Sequence, residues 1–194
     1  QKSDNRGIRR YFTIASAPSD SLLRIAVRFS DNVSSYKQTL KQMVVGQNIT
    51  ASQLAGDFVL PKAESAKLGF IAGGIGITPF LSQITEMSAL GTKRDTVLFY
   101  CNSTQAEIAY EDYLKATANN LPLKVVHVLA KEQISEYEFG YVTAEVIKKH
   151  SPDFVAREWY LSGPPSMVNA YAKLLGEMGV AKNKIKQDFF PGLA

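Results

Sequence analysis

The sequence predicts an α/β fold in which part of an antiparallel β-barrel precedes a five-stranded, parallel, doubly wound domain. Short β-branched and aromatic runs separated by turn residues come first, and they are typical of small barrel strands. From Leu68 onward, apolar strand patterns alternate with helical patterns, which predicts a parallel sheet covered by helices on both faces. The polar stretch 61–67 separates the two parts, so we predict domains of residues 1–61 and 66–194.

Composition places the chain in a broad class. It has 194 residues, of which 45% are hydrophobic and 21% charged, as is typical of a globular protein. Its single cysteine, Cys101, excludes an intrachain disulfide and fits a reducing compartment. The formal charge is only +4, and Lys182, Lys184 and Lys186 are better explained as the solvated side of a strand or turn than as a surface for an anionic partner. The longest apolar stretch, 68–81, is shorter than the roughly 20 residues that span a bilayer.

The first part alternates turns with short strands. We predict strands at 8–16 and 22–29, and shorter strands at 48–50 and 57–60. A loop that ends in helix-capping residues predicts a helix over 36–43. A barrel made only of these strands would expose an edge, so we expect earlier barrel strands to precede this chain.

The second part repeats a strand–helix unit. The predicted strands are 68–72, 96–100, 123–129, 158–162 and 184–189. The predicted helices are 78–90 (ended by Gly91), 105–118, 143–149 (capped by Thr143) and 165–178 (ended by Gly179). Ligands of such sheets bind at the carboxyl ends of the strands, so functional residues are expected at those positions.

A glycine-rich turn follows the first strand of this second part. Gly73, Gly74 and Gly76 expose backbone N–H groups, Thr78 is a candidate helix cap, and Pro79 suits the first helical turn. Such a turn lets a pyrophosphate approach the backbone at the positive end of the helix dipole. The alternative is a tight strand–helix corner that binds nothing.

Two segments of the first part could hold a phosphate and a planar ring. Arg10 and Phe12 face the same side of the predicted strand and Thr13 follows them, which suits phosphate binding and ring stacking. Ser34 and Ser35 open the predicted helix with two hydroxyls and free N–H groups. Taken separately, each segment is also explained by core packing or by helix capping.

Two further segments lie near the predicted strand ends. Gly163, Pro164 and Met167 follow the strand 158–162, where a ligand would lie across the sheet. Phe190 belongs to an aromatic pair at the end of the chain, of which one ring could pack and the other stack. No spacing of cysteine, histidine and carboxylate residues predicts a metal site, and no serine–histidine–acid arrangement is recognisable.

Together these segments resemble a known family. The motifs RRYFTIASAP, NVSSY, GGIGITPF, YLSGPPSMV and DFFPG occur in the order found in the ferredoxin–NADP reductase-like flavoproteins. The resemblance covers nearly the whole chain. It implies the latter half of a flavin-binding barrel followed by a complete pyridine-nucleotide domain.

The resemblance also implies roles for individual residues. Thr13, Ser162 and Phe190 would lie beside the reacting rings. The cofactor-binding residues would be Arg10, Tyr11, Phe12, Thr13, Ser34, Ser35, Gly73, Gly74, Gly76, Thr78, Pro79, Asn102, Ser103, Gly163, Pro164 and Met167.

Three departures from the family pattern stand out. Phe12 replaces the usual tyrosine, and Ser162 stands where many members have cysteine. The segment Asn102-Ser103-Thr104 contains no arginine that could meet a 2′-phosphate, which weakens the case for NADP without deciding it.

The implied activity is hydride transfer from NADH or NADPH to a flavin, which is FAD or, alternatively, FMN. The flavin would then release electrons to an iron–sulfur, haem or quinone-type acceptor. That acceptor would be a partner protein or a membrane redox subunit. Because no transmembrane segment is predicted in this chain, any link to a membrane would come from the partner or from sequence outside this chain. We expect a cytoplasmic location, which includes the cytoplasmic face of a membrane as part of a larger protein. The alternative is a non-catalytic nucleotide-binding or docking module that has lost its flavin.

Overall fold

The computed structural model describes residues 9–29 and 34–189. Its central feature is a six-stranded sheet in which every pair of neighbouring strands is parallel. The strand order is β4-β3-β2-β1-β5-β6. The strands are β1 (Leu68–Gly73), β2 (Thr96–Asn102), β3 (Leu123–Leu129), β4 (Glu138–Phe139), β5 (Glu158–Gly163) and β6 (Ile185–Phe189).

Helices cover both faces of this sheet, as predicted for a doubly wound domain. Helix α1 (Ser35–Gln42) precedes the sheet and has no buried residue. The helices that cover the sheet are α2 (Thr78–Ala89), α3 (Glu111–Ala118), α4 (Ala144–His150) and α5 (Pro165–Glu177). Successive side chains of β1 point to opposite faces: Phe70 packs in a core with α2 and α3, and Ile71 in a core with α4 and α5. Burial of both faces explains why β1 reads as a continuous apolar run. Over the ranges that the structure describes, no helix has the length and apolarity needed to cross a bilayer.

The number of strands corrects the predicted five. β4 contains only two residues and pairs with the end of β3, where Val128 faces Glu138 and Leu129 faces Phe139. Two residues are too few to show an alternating pattern, so no sequence signal marks this edge strand.

Two helix starts also differ from the prediction. Thr78 does not cap α2: its hydroxyl donates to the Ile75 carbonyl at 3.1 Å, and a 3₁₀ turn (Gly74–Ile77) precedes the helix. The helix predicted at 105–118 begins only at Glu111, because Tyr110 has a left-handed backbone with φ of 60°. The cap at Thr143 is confirmed by its hydroxyl, which accepts a hydrogen bond from Val146 N at 3.3 Å.

The antiparallel barrel is not confirmed in the part of the chain that the structure describes. The predicted strands 8–16 and 22–29 contribute one bridge between Ile14 and Ile25, with a hydrogen bond from Ala15 N to Arg24 O of 2.8 Å. No strand forms at 48–50 or 57–60. A β-rich composition cannot supply the neighbouring strand that a ladder requires, and here the described neighbours pair at one point only.

The stretch after α1 is fastened to the α/β domain by backbone carbonyls. Gln83 donates to the Phe58 carbonyl at 3.0 Å, and the Tyr160 hydroxyl donates to the Val59 carbonyl at 2.8 Å. The Phe58 ring packs between Phe80 and Tyr160, with centroid distances of 5.8 and 5.2 Å. These contacts replace the strand pairing that was predicted for 57–60.

Candidate functional site

A cleft of about 360 Å³ lies at the carboxyl ends of β1, β2, β3 and β5. The chain runs outward from β1 through β2, β3 and β4 and then returns to place β5 on the other side of β1. Ligands of open parallel sheets bind in the crevice where the strand order reverses in this way. The cleft therefore lies where the fold itself predicts a binding site, and its volume is that of a typical small-molecule pocket.

The glycine-rich turn forms one wall of the cleft, and its three glycines serve different purposes. A Cβ atom on Gly73 would lie 2.5 Å from the Met167 sulfur, and one on Gly76 would lie 2.3 Å from the Ser162 carbonyl oxygen. Both positions are glycine because the turn packs tightly against β5 and α5. Gly74 has φ of 52°, and a Cβ there would meet only the Arg28 guanidinium at 3.7 Å. Of the three glycines, Gly74 is thus the one that backbone conformation, and not tight packing, requires.

The opposite wall begins at the end of β2. Asn102 lines the cleft and is only 7% exposed, yet neither its amide nitrogen nor its oxygen has a hydrogen bond of normal geometry within the described residues. Burial raises the pKa of Tyr100 to about 12, although the hydrogen bond from Ala109 N and the nearby Asn102 side chain act in the opposite direction. Buried polar groups are almost always satisfied, so the Asn102 amide fits a site that receives a polar ligand.

The end of β5 forms the floor of the cleft. A Cβ on Gly163 would lie 2.8 Å from the Met167 methyl carbon and 3.2 Å from Gly73 Cα, so the two strand ends are in close backbone contact. Pro164 and Met167 line the cleft directly. Ser162 is fully buried beneath them, and its hydroxyl has no hydrogen-bond partner within the described ranges.

Three charged residues at the cleft were not predicted from the sequence. Arg28 donates to Glu107 Oε2 at 2.9 Å, and Lys131 follows the end of β3. Arg28 and Glu107 are 79 positions apart and belong to no motif, so only the fold brings them together. The lysine could have been found as the cation that follows the predicted strand 123–129.

Two of the residues predicted in the first part, Arg10 and Phe12, contact Tyr36 of α1 and do not line this cleft. The Arg10 guanidinium lies 5.3 Å from the Tyr36 ring centroid, and the Phe12 ring lies 5.9 Å from it. The Ser34 hydroxyl caps α1 by accepting a hydrogen bond from Lys37 N at 3.3 Å. Arg10 and Phe12 therefore both lie next to α1, the helix that Ser34 caps.

The other predicted residues lie at the cleft, directly behind it or in the first part of the chain. Ser103 lines the cleft, Gly76 is buried in the turn behind it, and Thr78 and Pro79 are buried at the start of α2. Tyr11 is 85% exposed, Thr13 is partly buried, and Ser35 is the first residue of α1. Phe190 lies outside the described residues.

The chemistry at the cleft depends little on side-chain acids or nucleophiles. Burial raises the pKa of the Cys101 thiol to about 12, although a hydrogen bond from Tyr171 lowers it, so the thiol stays protonated at neutral pH. In the two described ranges no group of three or more histidine, cysteine or carboxylate residues could hold a metal ion. The cleft can therefore bind and orient a ligand, but its own side chains supply no evident nucleophile.

The doubly wound sheet, the glycine turn after its first strand and the cleft at the reversal of strand order define a dinucleotide-binding α/β domain. The chain belongs to the oxidoreductase NAD-binding domain family, whose model matches residues 70–173.

Relatives of known function extend over more of the chain. The sequence is 29% identical over 152 residues to the reductase component of propane 2-monooxygenase from Rhodococcus jostii strain RHA1, covering 75% of this chain and 41% of that protein. It is 27% identical over 208 residues to the F component of the Na⁺-translocating NADH-quinone reductase from Neisseria gonorrhoeae, covering 97% of this chain and 50% of that protein. The chain thus spans about half the length of these relatives.

Solved structures share the fold at lower identity. The Amycolatopsis cytochrome P450 reductase GcoB matches 97% of this chain and 58% of its own, with a TM-score of 0.84 and 22% identity. A ferredoxin NADP⁺ reductase from Neisseria gonorrhoeae, solved with bound FAD and NADP, matches 97% of this chain and 82% of its own, with a TM-score of 0.75 and 22% identity. The resemblance to ferredoxin–NADP reductase-like proteins is confirmed.

Proposed function

We propose that this chain belongs to a flavin-dependent oxidoreductase that takes electrons from NADH or NADPH and passes them to a one-electron acceptor. The observation that carries the proposal is that Gly74, which has a left-handed backbone and no side chain, lines the cleft together with the buried Asn102 amide, which has no hydrogen-bond partner among the described residues. Both groups suit a polar ligand, and they lie where dinucleotides bind to sheets of this kind.

The dinucleotide would take its contacts from three strand ends. The Gly74 turn and the start of α2 offer N–H groups and a positive dipole end to the pyrophosphate. Asn102 and Ser103 would hydrogen-bond to a ribose, and Gly163, Pro164 and Met167 would position the nicotinamide. The contacts among these residues support the placement because they bring all three strand ends to a single cleft.

The flavin would take its contacts from the segment before residue 61. Arg10, Ser34 and Ser35 would bind its phosphate, and Tyr11, Phe12 and Thr13 would contact its ring. FAD is the flavin we propose, because the related reductase from Neisseria gonorrhoeae was solved with FAD and NADP. FMN is the alternative. Phe190 as a ring neighbour and the division into domains 1–61 and 66–194 stay predictions.

When bound, the two cofactors supply the hydride acceptor and donor, while the chain supplies distance, orientation and polarity. Gly163 and Pro164 would hold the nicotinamide in place, and the Ser162 hydroxyl offers a nearby polar atom. None of these roles requires a side chain to be ionised, which fits a cleft without an evident nucleophile.

The acceptor would be a partner redox protein or a membrane subunit. The relatives include a monooxygenase reductase component and a component of a quinone reductase, and both names imply transfer to a further component. We propose a cytoplasmic location, either free or attached to a membrane partner. The single cysteine, Cys101, fits the reducing conditions of that compartment.

The test is spectroscopic. The purified polypeptide, supplied with FAD, should show a flavin spectrum that NADH or NADPH bleaches under anaerobic conditions, and added ferricyanide should restore it. A polypeptide that binds neither FAD nor FMN, or whose flavin neither nicotinamide reduces, would contradict the proposal.

A non-catalytic docking module is the second candidate. The single bridge between Ile14 and Ile25 favours it, because a flavin-binding barrel needs longer ladders. Calorimetric titration separates the two candidates. Nucleotide binding together with a failure of FAD and FMN to bind would favour the module.

A further inference from the structure

The Arg28 guanidinium lies between two competing positions at the cleft. Its Nη1 is 3.7 Å from where a Cβ of Gly74 would lie, and its Nη2 donates to Glu107 Oε2 at 2.9 Å. One end of the group therefore faces the open glycine and the other is held by a carboxylate. Both Arg28 and Glu107 line the cleft.

The backbone of Arg28 is held in place independently of Glu107. The Lys37 ammonium, on α1, donates to the Arg28 carbonyl at 2.8 Å. Lys37 therefore restrains the Arg28 backbone, whereas the long, half-exposed Arg28 side chain keeps its rotational freedom. Arg28 can exchange partners by changing its rotamer, without movement of the sheet.

We propose that Glu107 restrains dinucleotide binding by occupying Arg28, and that the phosphates of a bound dinucleotide take Arg28 over from Glu107. The inference rests on the proposed function, because it assumes that phosphates dock at the Gly74 turn. A diphosphate carries more negative charge than one carboxylate and offers more acceptor atoms to a planar guanidinium. The side chains of Arg28 and Glu107 are 51% and 30% exposed, so water weakens the ion pair enough for a ligand to displace it.

Removing the carboxylate should therefore tighten binding. Glu107→Gln keeps the shape of the side chain and releases Arg28, and it should lower the Kd about two- to fivefold, the worth of a half-exposed ion pair. Arg28→Gln should raise the Kd about tenfold, because a charge-assisted contact to phosphate is lost. In the double variant the benefit of Glu107→Gln should disappear, because there is no guanidinium left to release.

The experiment is a double-mutant cycle by titration calorimetry with NAD⁺ and with NADP⁺. Glu136→Gln is the matched control, because it removes an exposed carboxylate that does not line the cleft and should leave the Kd unchanged. Thermal unfolding of each variant checks that the fold is retained.

The possible outcomes are distinct. Tightening by Glu107→Gln that depends on Arg28 supports the inference. Equal tightening with and without Arg28 overturns it, because Glu107 would then repel the phosphates directly. An unchanged Kd in Glu107→Gln also overturns it while leaving the proposed function standing. A wild-type protein that binds neither NAD⁺ nor NADP⁺ overturns both.

Discussion

Gly74 and Gly76 lie two positions apart in one turn, but the fold requires glycine at each for a different reason. Gly76 lacks a side chain because the Ser162 carbonyl occupies the space that a Cβ would need. Gly74 combines a left-handed φ of 52° with a Cβ position that would contact only the Arg28 guanidinium, at 3.7 Å. A glycine-rich motif is therefore only partly a ligand signature, and the structure identifies which residue can face the ligand.

We expect Gly74→Ala to weaken dinucleotide binding more than it weakens the fold. The left-handed backbone should cost about 1–2 kcal/mol of unfolding free energy. The added methyl group should also obstruct a phosphate approaching the backbone, raising the Kd for the preferred nicotinamide about tenfold or more, as loss of a charge-assisted contact would. Denaturant unfolding and calorimetric titration measure the two effects separately.

Gly91→Ala is the control for this variant. Gly91 has a similar φ of 63°, an added methyl there would have no neighbour within 4 Å, and the residue does not line the cleft. It should show the same stability loss with an unchanged Kd. Equal weakening of binding in both variants would contradict the role of Gly74.

How far the sequence predicts the site depends on whether a residue belongs to a local motif. Gly74, Asn102 and Pro164 could be identified because each lies at or directly after the end of a strand that is apparent from its apolar run. Arg28 and Glu107 could not, because a contact between residues 79 positions apart becomes visible only when the chain is folded.

At the scale of elements, buried strands and capped helices were predictable and isolated strands were not. The strand predicted at 123–129 has the observed bounds, because its sequence is rich in valine and leucine and most of its length is buried. The strands predicted at 8–16 and 22–29 have suitable composition, but strand formation also needs a neighbour, and that is a property of the whole sheet. β4 is the opposite case: its two residues show no strand pattern in the sequence, yet they form a strand because β3 lies beside them.

The attachment of the first part to the sheet domain gives a prediction at this scale. Phe58→Ala removes the ring that packs against Phe80 and Tyr160, and it should cost about 2 kcal/mol of unfolding free energy because the ring is only partly buried. Limited proteolysis should also cut the segment before residue 58 more quickly. Phe139→Ala, at a ring that is 58% exposed, is the control and should change neither measurement. Equal effects of the two variants would contradict the anchoring role of Phe58.

At the scale of the whole molecule, Arg157 joins the amino-terminal ends of the central strands. Its side chain is 6% exposed and donates to the Leu68 carbonyl at 3.0 Å, to Asp153 Oδ1 at 2.8 Å and to Asp95 Oδ2 at 3.1 Å. These contacts lie at the opposite end of the sheet from the cleft. The arginine therefore stabilises the strands without touching the ligand site.

Arg157→Met should cost about 3 kcal/mol of unfolding free energy, because it removes a buried cation that binds the Leu68 carbonyl and two carboxylates and leaves Lys67 as the remaining cation beside those carboxylates. Lys67→Met removes a half-exposed cation from the same Asp153 and should cost at most about 1 kcal/mol. Denaturant unfolding provides both values. Similar losses in the two variants would contradict the bridging role of Arg157.

Acid should destabilise the protein. Burial alone would raise the pKa of Asp153, but hydrogen bonds from Lys67 and Arg157 outweigh it and lower that pKa. Hydrogen bonds from Lys149 and His150 lower the pKa of Glu138. A lowered carboxyl pKa contributes stability that is present above the unfolded-state value, about 4, and is lost as the pH falls through the folded-state value.

Two further carboxyl groups contribute to the pH dependence of the unfolding free energy. Hydrogen bonds from Lys115 and Tyr137 lower the pKa of Glu111, which adds to the loss in acid, whereas burial raises the pKa of Asp188, which opposes it. We expect the unfolding free energy to fall between about pH 5 and pH 3. Denaturant titrations across that range measure it, and a constant or rising value would contradict the assignment of these ion pairs.

Binding of a nicotinamide dinucleotide in the cleft can be tested by mapping backbone amide chemical shifts before and after addition of NAD⁺ or NADP⁺. The largest changes should occur at Gly74, at Asn102 and Ser103, and at Gly163, three strand ends that meet only in the folded cleft. Changes confined to other surfaces, such as the loop around Gly91, would show that the nucleotide binds elsewhere and would contradict this assignment of the cleft.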